Sequence, residues 1–188
     1  MVDLFNYTRR ASSVAHIGSL DLGGDNPVRI QSMTTTNTND TEACIRQAEE
    51  IIKAGGELVR FTTQGSREAE NMKNINAGIR ADGYLTPLVA DVHFNPNVAD
   101  VAALYCEKVR VNPGNYVDPA RKFIKQEYTD EEYAHELQKI EDRFVPFLNI
   151  CKENHTAIRI GVNHGSLSDR IRNRYGDTPE GIVESCME

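Results

Sequence analysis

The stretch "LVADVHFNP", residues 88–96, is an apolar strand pattern with an aspartate and a histidine set into it two positions apart. Side chains of an extended chain alternate between faces, so Asp91 and His93 share one face and Val92 and Phe94 the other. Ionisable groups on a face that looks into a core are costly unless something pairs with them. The rest of the chain has to supply that partner.

Outward from this strand the pattern is strand, loop, helix, repeated. The strand candidates are "VRIQSM" (28–33), "ELVRFTT" (57–63), "PLVADVHF" (87–94), "KVRVNP" (108–113) and "AIRIGVN" (157–163). Between them Asp40 can cap a helix with Ile45, Ala48 and Ile52 on one stripe, ended by Gly55-Gly56. Ser66 can cap a second with Ala69, Met72, Ile75 and Ile79 inward, and Pro96-Asn97 opens a shorter third. Thr129 and Glu132 have capping-box spacing inside the long segment from Tyr116 to Asn154. Ahead of the repeats, "HIGSLDLGGDNPVRI" has two short apolar runs split by Gly-Ser, which predicts a small hairpin. Strands alternating with helices imply parallel strands joined by right-handed crossovers, either doubly wound or a (β/α) barrel. No strand is followed by GxGxxG, so dinucleotide binding has little support.

The barrel is favoured by what recurs at the strand ends. Arg60 with Thr62, Asp91 with His93, Arg110 with Asn112, and Arg159 with Asn163 across Gly161 each share strand parity. In a barrel such residues converge on one mouth, where barrel enzymes hold their active sites. Each has an ordinary alternative: Asp91 as the ion-pair partner of Arg60 or Arg110, His93 as a core histidine, Asn112 and Asn163 as turn residues of "NPGN" and "NHGS". The count shifts the balance, because three guanidiniums meet one carboxylate, and like charges in a low-dielectric mouth repel unless a polyanion completes the site. Arginine forks suit phosphate, and the glycine-containing loops can add backbone donors. The Arg-rich "RIRNRYG" (170–176) reads instead as a solvated helix face.

The composition agrees with an ordinary globular chain. Its 188 residues suit one domain, with 39% apolar and 26% charged residues. A net charge of -7 offers no broad basic surface for nucleic acid or an anionic membrane, so any anion site must be local. Cys44, Cys106, Cys151 and Cys186 are widely spaced, with no CxxC pair, and read as reduced thiols. Neither a leader nor a run of the roughly 18–20 apolar residues needed for a span is evident. The expected compartment is the cytoplasm.

Read in order, "QSMT", "LVRFTT", "LVADVHF", "VRVNPGN" and "IRIGVNHGSL" resemble the N-terminal domain of the 4-hydroxy-3-methylbut-2-enyl diphosphate synthase family, from about His16 to Met187. The insert between Asn115 and Ala157 looks like the longer form found in plants and some bacteria. The resemblance implies a TIM-type barrel that binds 2-C-methyl-D-erythritol 2,4-cyclodiphosphate of the non-mevalonate isoprenoid pathway. It further implies a separate domain carrying a [4Fe-4S] cluster, fed by ferredoxin or flavodoxin, for ring opening and loss of water, in a homodimer when full length. Carried over by motif, Arg60, Arg110 and Arg159 would hold the diphosphate with Asn112 and Asn163, and Asp91 and His93 would orient the substrate as the catalytic candidates.

None of the four cysteines lies in a motif matching the cluster ligands, so no metal ligand is expected in this chain. About five βα units are present where a closed barrel needs eight. The expectation is a partial barrel over 1–188, with a hairpin at 1–27 and a mostly helical insertion at 116–156, lacking the iron-sulfur domain. On its own it should lack activity, and its open sheet edges would need covering. A stand-alone phosphate-ligand module and another phosphate-site barrel enzyme, such as a pterin-type synthase, are the competing readings.

Overall fold

The computed structural model describes residues 10–93, 95–118 and 127–188. Two short strands, β1 (Val14–Ile17) and β2 (Leu20–Gly23), form the antiparallel hairpin, turning through Gly18 at φ 56°. Five parallel strands follow: β3 (Gln31–Met33), β4 (Leu58–Thr63), β5 (Leu88–Val92), β6 (Lys108–Val111) and β7 (Ala157–Ile160). Their spatial order is their sequence order, β3-β4-β5-β6-β7. A doubly wound sheet reverses order at a switch point, whereas consecutive neighbours are what a (β/α) barrel lays down. This is the fold class that the strand-end pattern favoured.

The crossovers are α1 (Thr41–Lys53), α2 (Ser66–Ala81), α3 (Pro96–Ala103) and α4 (Asp130–Glu153), with α5 (Asp169–Tyr175) and α6 (Pro179–Met187) after β7. Their starts follow from capping chemistry, which satisfies otherwise orphaned N–H groups. The Asp40 carboxylate accepts from the Ala43 amide at 3.0 Å, Thr129 and Glu132 form a reciprocal box, and the Thr178 hydroxyl accepts from the Gly181 amide with Pro179 at the first helical position. At α2 the expectation is corrected: the cap is Gly65, not Ser66. Glu68 reaches back to the Gln64 and Gly65 amides, so a carboxylate within the first turn does the work assigned to the serine.

Strand parity divides the sheet into two unlike faces. One face presents Val59, Phe61, Leu88, Ala90, Val92, Val109 and Val111 to the helices, where Ala69, Met72, Ile75 and Ile79 of α2 are fully buried. Burial of each large apolar side chain contributes about 1.5–3 kcal/mol, and this layer holds the helices to the sheet. The other face is apolar only at its lower end, where Leu58 and Val89 pack on Ile17 of the hairpin. Gly18 lies beside Pro87 and Glu107, which precede β5 and β6, so the hairpin covers the end of the sheet where strands begin. Above that plug the same face turns polar.

The strands are shorter than their sequence patterns. The 28–33 run pairs only from Gln31, because Arg29 and the Ile30 amide are held by Glu57, and Arg29 also donates to the Asp21 carbonyl. Val28 and Ile30 are left exposed at a sheet edge. The 157–163 run stops at Ile160, and the 87–94 run stops at Val92, with Phe94 outside the described residues. Within 116–156, α4 accounts for 130–153, and 119–126 lie outside the described residues.

Candidate functional site

Inter-strand register assembles the polar face layer by layer. Arg60 lies level with Val89, Lys108 and Ala157; one layer up, Thr62, Asp91, Arg110 and Arg159 are neighbours across four strands. His93 and Asn112 follow at the ends of β5 and β6, and Asn163 lies beyond β7. Register thus brings Arg60, Asp91, Arg110 and Arg159 to one face, and His93, Asn112 and Asn163 follow at the same end of the strands.

Asp91 is the hub and is 2% exposed. One carboxylate oxygen takes an Arg60 guanidinium N–H and lies 3.6 Å from His93 Nε2; the other accepts from Arg110 at 3.1 Å. Arg110 also donates to the Gly161 carbonyl and lies across that glycine so closely that a Cβ there would collide with its guanidinium. Gly161 therefore makes room for Arg110. Two of the three arginines are in this way held by protein groups, although Arg60 Nε is buried with no hydrogen-bond partner among the described residues.

Arg159 differs. It is exposed, and no hydrogen bond or ion pair among the described residues engages it. Beneath it the register places a fourth cation that the motif reading passed over. Lys108 is 7% exposed on the same face as Arg110, and burial, then the charges of Arg159 and Arg60, push its pKa below the usual lysine value. Its signal was in the sequence: it precedes Arg110 by two residues, as Arg110 precedes Asn112.

The asparagines have structural duties. The Asn112 side chain accepts from the Gly114 amide at 3.1 Å and donates to Ser166 Oγ at 2.7 Å, tying the 113–115 turn to the 164–166 turn. Gly114 is pressed against the Ser166 carbonyl, so this seam leaves no space for a side chain. Asn163 is exposed, and its carbonyl accepts from the Ser166 amide at 3.0 Å. The two loops rim the mouth of the polar face as one unit.

The solvated-face reading of 170–176 is corrected. Arg170 is 4% exposed and is forked between Asp118 and Glu188, 3.2 and 2.6 Å away. Burial alone would lower its pKa, but the two carboxylates outweigh that and hold it above the ordinary arginine value. Its guanidinium and that of Arg174 lie 4.8 and 4.2 Å from the centroid of Tyr133, whose hydroxyl donates to Glu188. Only Arg172 and Arg174 fit a solvated face, paired with Asp177 and Asp130.

A model of the GcpE TIM-barrel domain matches residues 12–188. The chain belongs to that family. It is 75% identical over 187 residues to a protein of Bacteroides thetaiotaomicron named 4-hydroxy-3-methylbut-2-en-1-yl diphosphate synthase (flavodoxin), covering 100% of this chain and 30% of that protein. Proteins of the same name in Parabacteroides distasonis and Porphyromonas gingivalis are 65% and 52% identical, with 98% and 100% of this chain covered and 30% and 32% of theirs. The GcpE barrel chain thus spans about 30% of the length of the relatives it matches. A dihydropteroate synthase from Burkholderia cenocepacia, solved with 7,8-dihydropteroate, has a TM-score of 0.47 at 15% identity over 84% of this chain and 65% of its own, a likeness that carries no argument.

Three of the four cysteines of this GcpE barrel are poorly suited to an iron-sulfur cluster, the exposed Cys186 being the fourth. Cys44, Cys106 and Cys151 are buried, and burial raises each thiol pKa, that of Cys151 to about 12, where cluster ligation requires thiolates. No group of three His, Cys, Asp or Glu side chains able to hold a metal ion occurs among the described residues. Nor is any helix of the described residues long and apolar enough to cross a membrane.

Proposed function

We propose that this chain is the N-terminal, substrate-binding part of a 4-hydroxy-3-methylbut-2-enyl diphosphate synthase. The reading is that the complete protein converts 2-C-methyl-D-erythritol 2,4-cyclodiphosphate by reductive ring opening and loss of water. The observation that carries it is the charge imbalance of the polar face: among the described residues, Arg60, Lys108, Arg110 and Arg159 stand in the two register layers around one carboxylate, that of Asp91. Like charges at such spacings repel, and a bound diphosphate relieves them while taking charge-assisted hydrogen bonds.

Within this reading the arginines divide their roles. Arg159 is free to meet the diphosphate directly, with the Asn163 loop beside it. Arg60 and Arg110 are oriented by Asp91 and present their remaining N–H groups to the ligand. Asn112 shapes the loop rim, and His93, 3.6 Å from Asp91, stands where it can orient a substrate hydroxyl. Asp91 is occupied on both oxygens, so its role is to position guanidiniums rather than to exchange protons. A [4Fe-4S] cluster in the rest of the protein would supply the two electrons. The relatives' printed name supports flavodoxin as donor. Homodimer assembly and a cytoplasmic location remain part of the same proposal.

The test is turnover in a protein of the relatives' full length carrying this chain, supplied with reduced flavodoxin and the cyclic diphosphate. Formation of 4-hydroxy-3-methylbut-2-enyl diphosphate, lowered at least about tenfold in kcat/KM by Arg159→Ala, supports the reading. No product from the cluster-loaded protein, or no effect of the substitution, contradicts it.

A further inference from the structure

We propose that Lys108 is a direct diphosphate contact, the floor of the anion seat whose wall is Arg159. The inference rests on the diphosphate reading above and adds to it a residue outside the strand-end motifs.

The geometry begins with register. Lys108 shares its layer with Arg60, and the layer above holds Asp91, Arg110 and Arg159. Lys108 is in register with Val89 and Ala157 of the apolar plug, and its ammonium is close enough to Arg159 and Arg60 for their charges to act on it. Among the described residues, the ionisable groups around it on that face are Arg60 from β4, Asp91 from β5 with His93 above it, Arg110 on its own strand and Arg159 from β7. The one carboxylate is already divided between Arg60 and Arg110. Among the described residues, no hydrogen bond or ion pair engages the Lys108 ammonium.

Lys108, 7% exposed and left over once the Asp91 carboxylate has been shared between Arg60 and Arg110, is a cation that a bound anion would complete. A cyclic diphosphate bound against Arg159 brings phosphate oxygens to that position. Arg60 and Arg110 have part of their donors taken by Asp91 and the Gly161 carbonyl, whereas among the described residues no hydrogen bond or ion pair engages Lys108 or Arg159. The lowered pKa adds a pH signature. Binding an anion favours the charged ammonium, so affinity is full where Lys108 is protonated and falls as pH rises through its depressed value, below the range of an ordinary lysine.

Calorimetry with the cyclic diphosphate, on a full-length protein carrying this chain, provides the test. Lys108→Met weakens binding at least about tenfold and abolishes the alkaline fall in affinity, while Lys108→Arg recovers most of it. If Lys108→Met stays within about twofold while Arg159→Ala weakens binding, a carboxylate elsewhere in the protein neutralises Lys108 and the proposal is overturned, with the diphosphate reading intact. If neither substitution matters, the diphosphate reading itself fails and the proposal with it. Should Lys108→Met not fold, carbon-labelled lysine NMR on the unaltered protein replaces it. A Lys108 signal whose titration midpoint rises on adding the cyclic diphosphate supports the contact, and an unmoved midpoint overturns it.

Discussion

Two clusters of arginine and carboxylate are buried among the described residues, and they are built on opposite balances. Around Arg170 one guanidinium meets two carboxylates, Asp118 and Glu188, with Tyr133 stacked beneath it and hydrogen-bonded to Glu188. Around Asp91 one carboxylate meets two guanidiniums, while Lys108 and Arg159 stand by without acidic partners among the described residues. The first cluster spends its donors and acceptors on itself and ties α5 and α6 to the segment before α4. The second has cations in surplus, on the face that the fold leaves open. A closed cluster holds a structure together, and a cationic surplus on an open face marks where a ligand is expected.

Removing the hub should have the largest effect. Asp91→Ala leaves Arg60 and Arg110 facing each other beside Lys108, and should cost about 3–5 kcal/mol in denaturant unfolding of the full-length protein. Part of that loss should return when saturating cyclic diphosphate is added, because an anion then replaces the missing carboxylate. Arg170→Ala should cost a comparable or slightly smaller amount, about 3 kcal/mol, since it strands two buried carboxylates. No phosphate compound should restore it, and a phosphate rescue here would erase the distinction between the clusters. Arg174→Ala, at the solvated edge of the Arg170 cluster with its partner Asp130 exposed, should change stability by no more than about 0.5–1 kcal/mol.

The sequence carried most of the architecture because the devices that set it are local. Period-two alternation located the five parallel strands of the described residues, and Asp40 and Thr129 announced their helices through cap chemistry. Errors arose where a distant group decided the outcome. The exception is local, since Ser66 lost its cap to Glu68 of the same turn, whereas residues 28–30 left the ladder because Glu57 and the hairpin hold Arg29 and Ile30. Arg170 could not be read as buried, since its partners lie 52 and 18 residues away. Lys108 was legible by parity, yet a lysine at the first position of a strand looks like an exposed terminus until the hairpin plug is in place. Asp91 shows the limit of residue chemistry alone, because the same aspartate reads as a reacting group or as an arginine anchor. The tertiary structure gives both of its oxygens to the anchor.

The most direct test compares the two clusters by one measurement, calorimetric titration of 2-C-methyl-D-erythritol 2,4-cyclodiphosphate into a full-length protein carrying this chain and into its Arg159→Ala and Arg170→Ala variants. A charge surplus that serves a ligand predicts at least about a tenfold loss of affinity for Arg159→Ala and a change within about twofold for Arg170→Ala. Equal affinities in all three proteins, or a larger loss at Arg170, would contradict it.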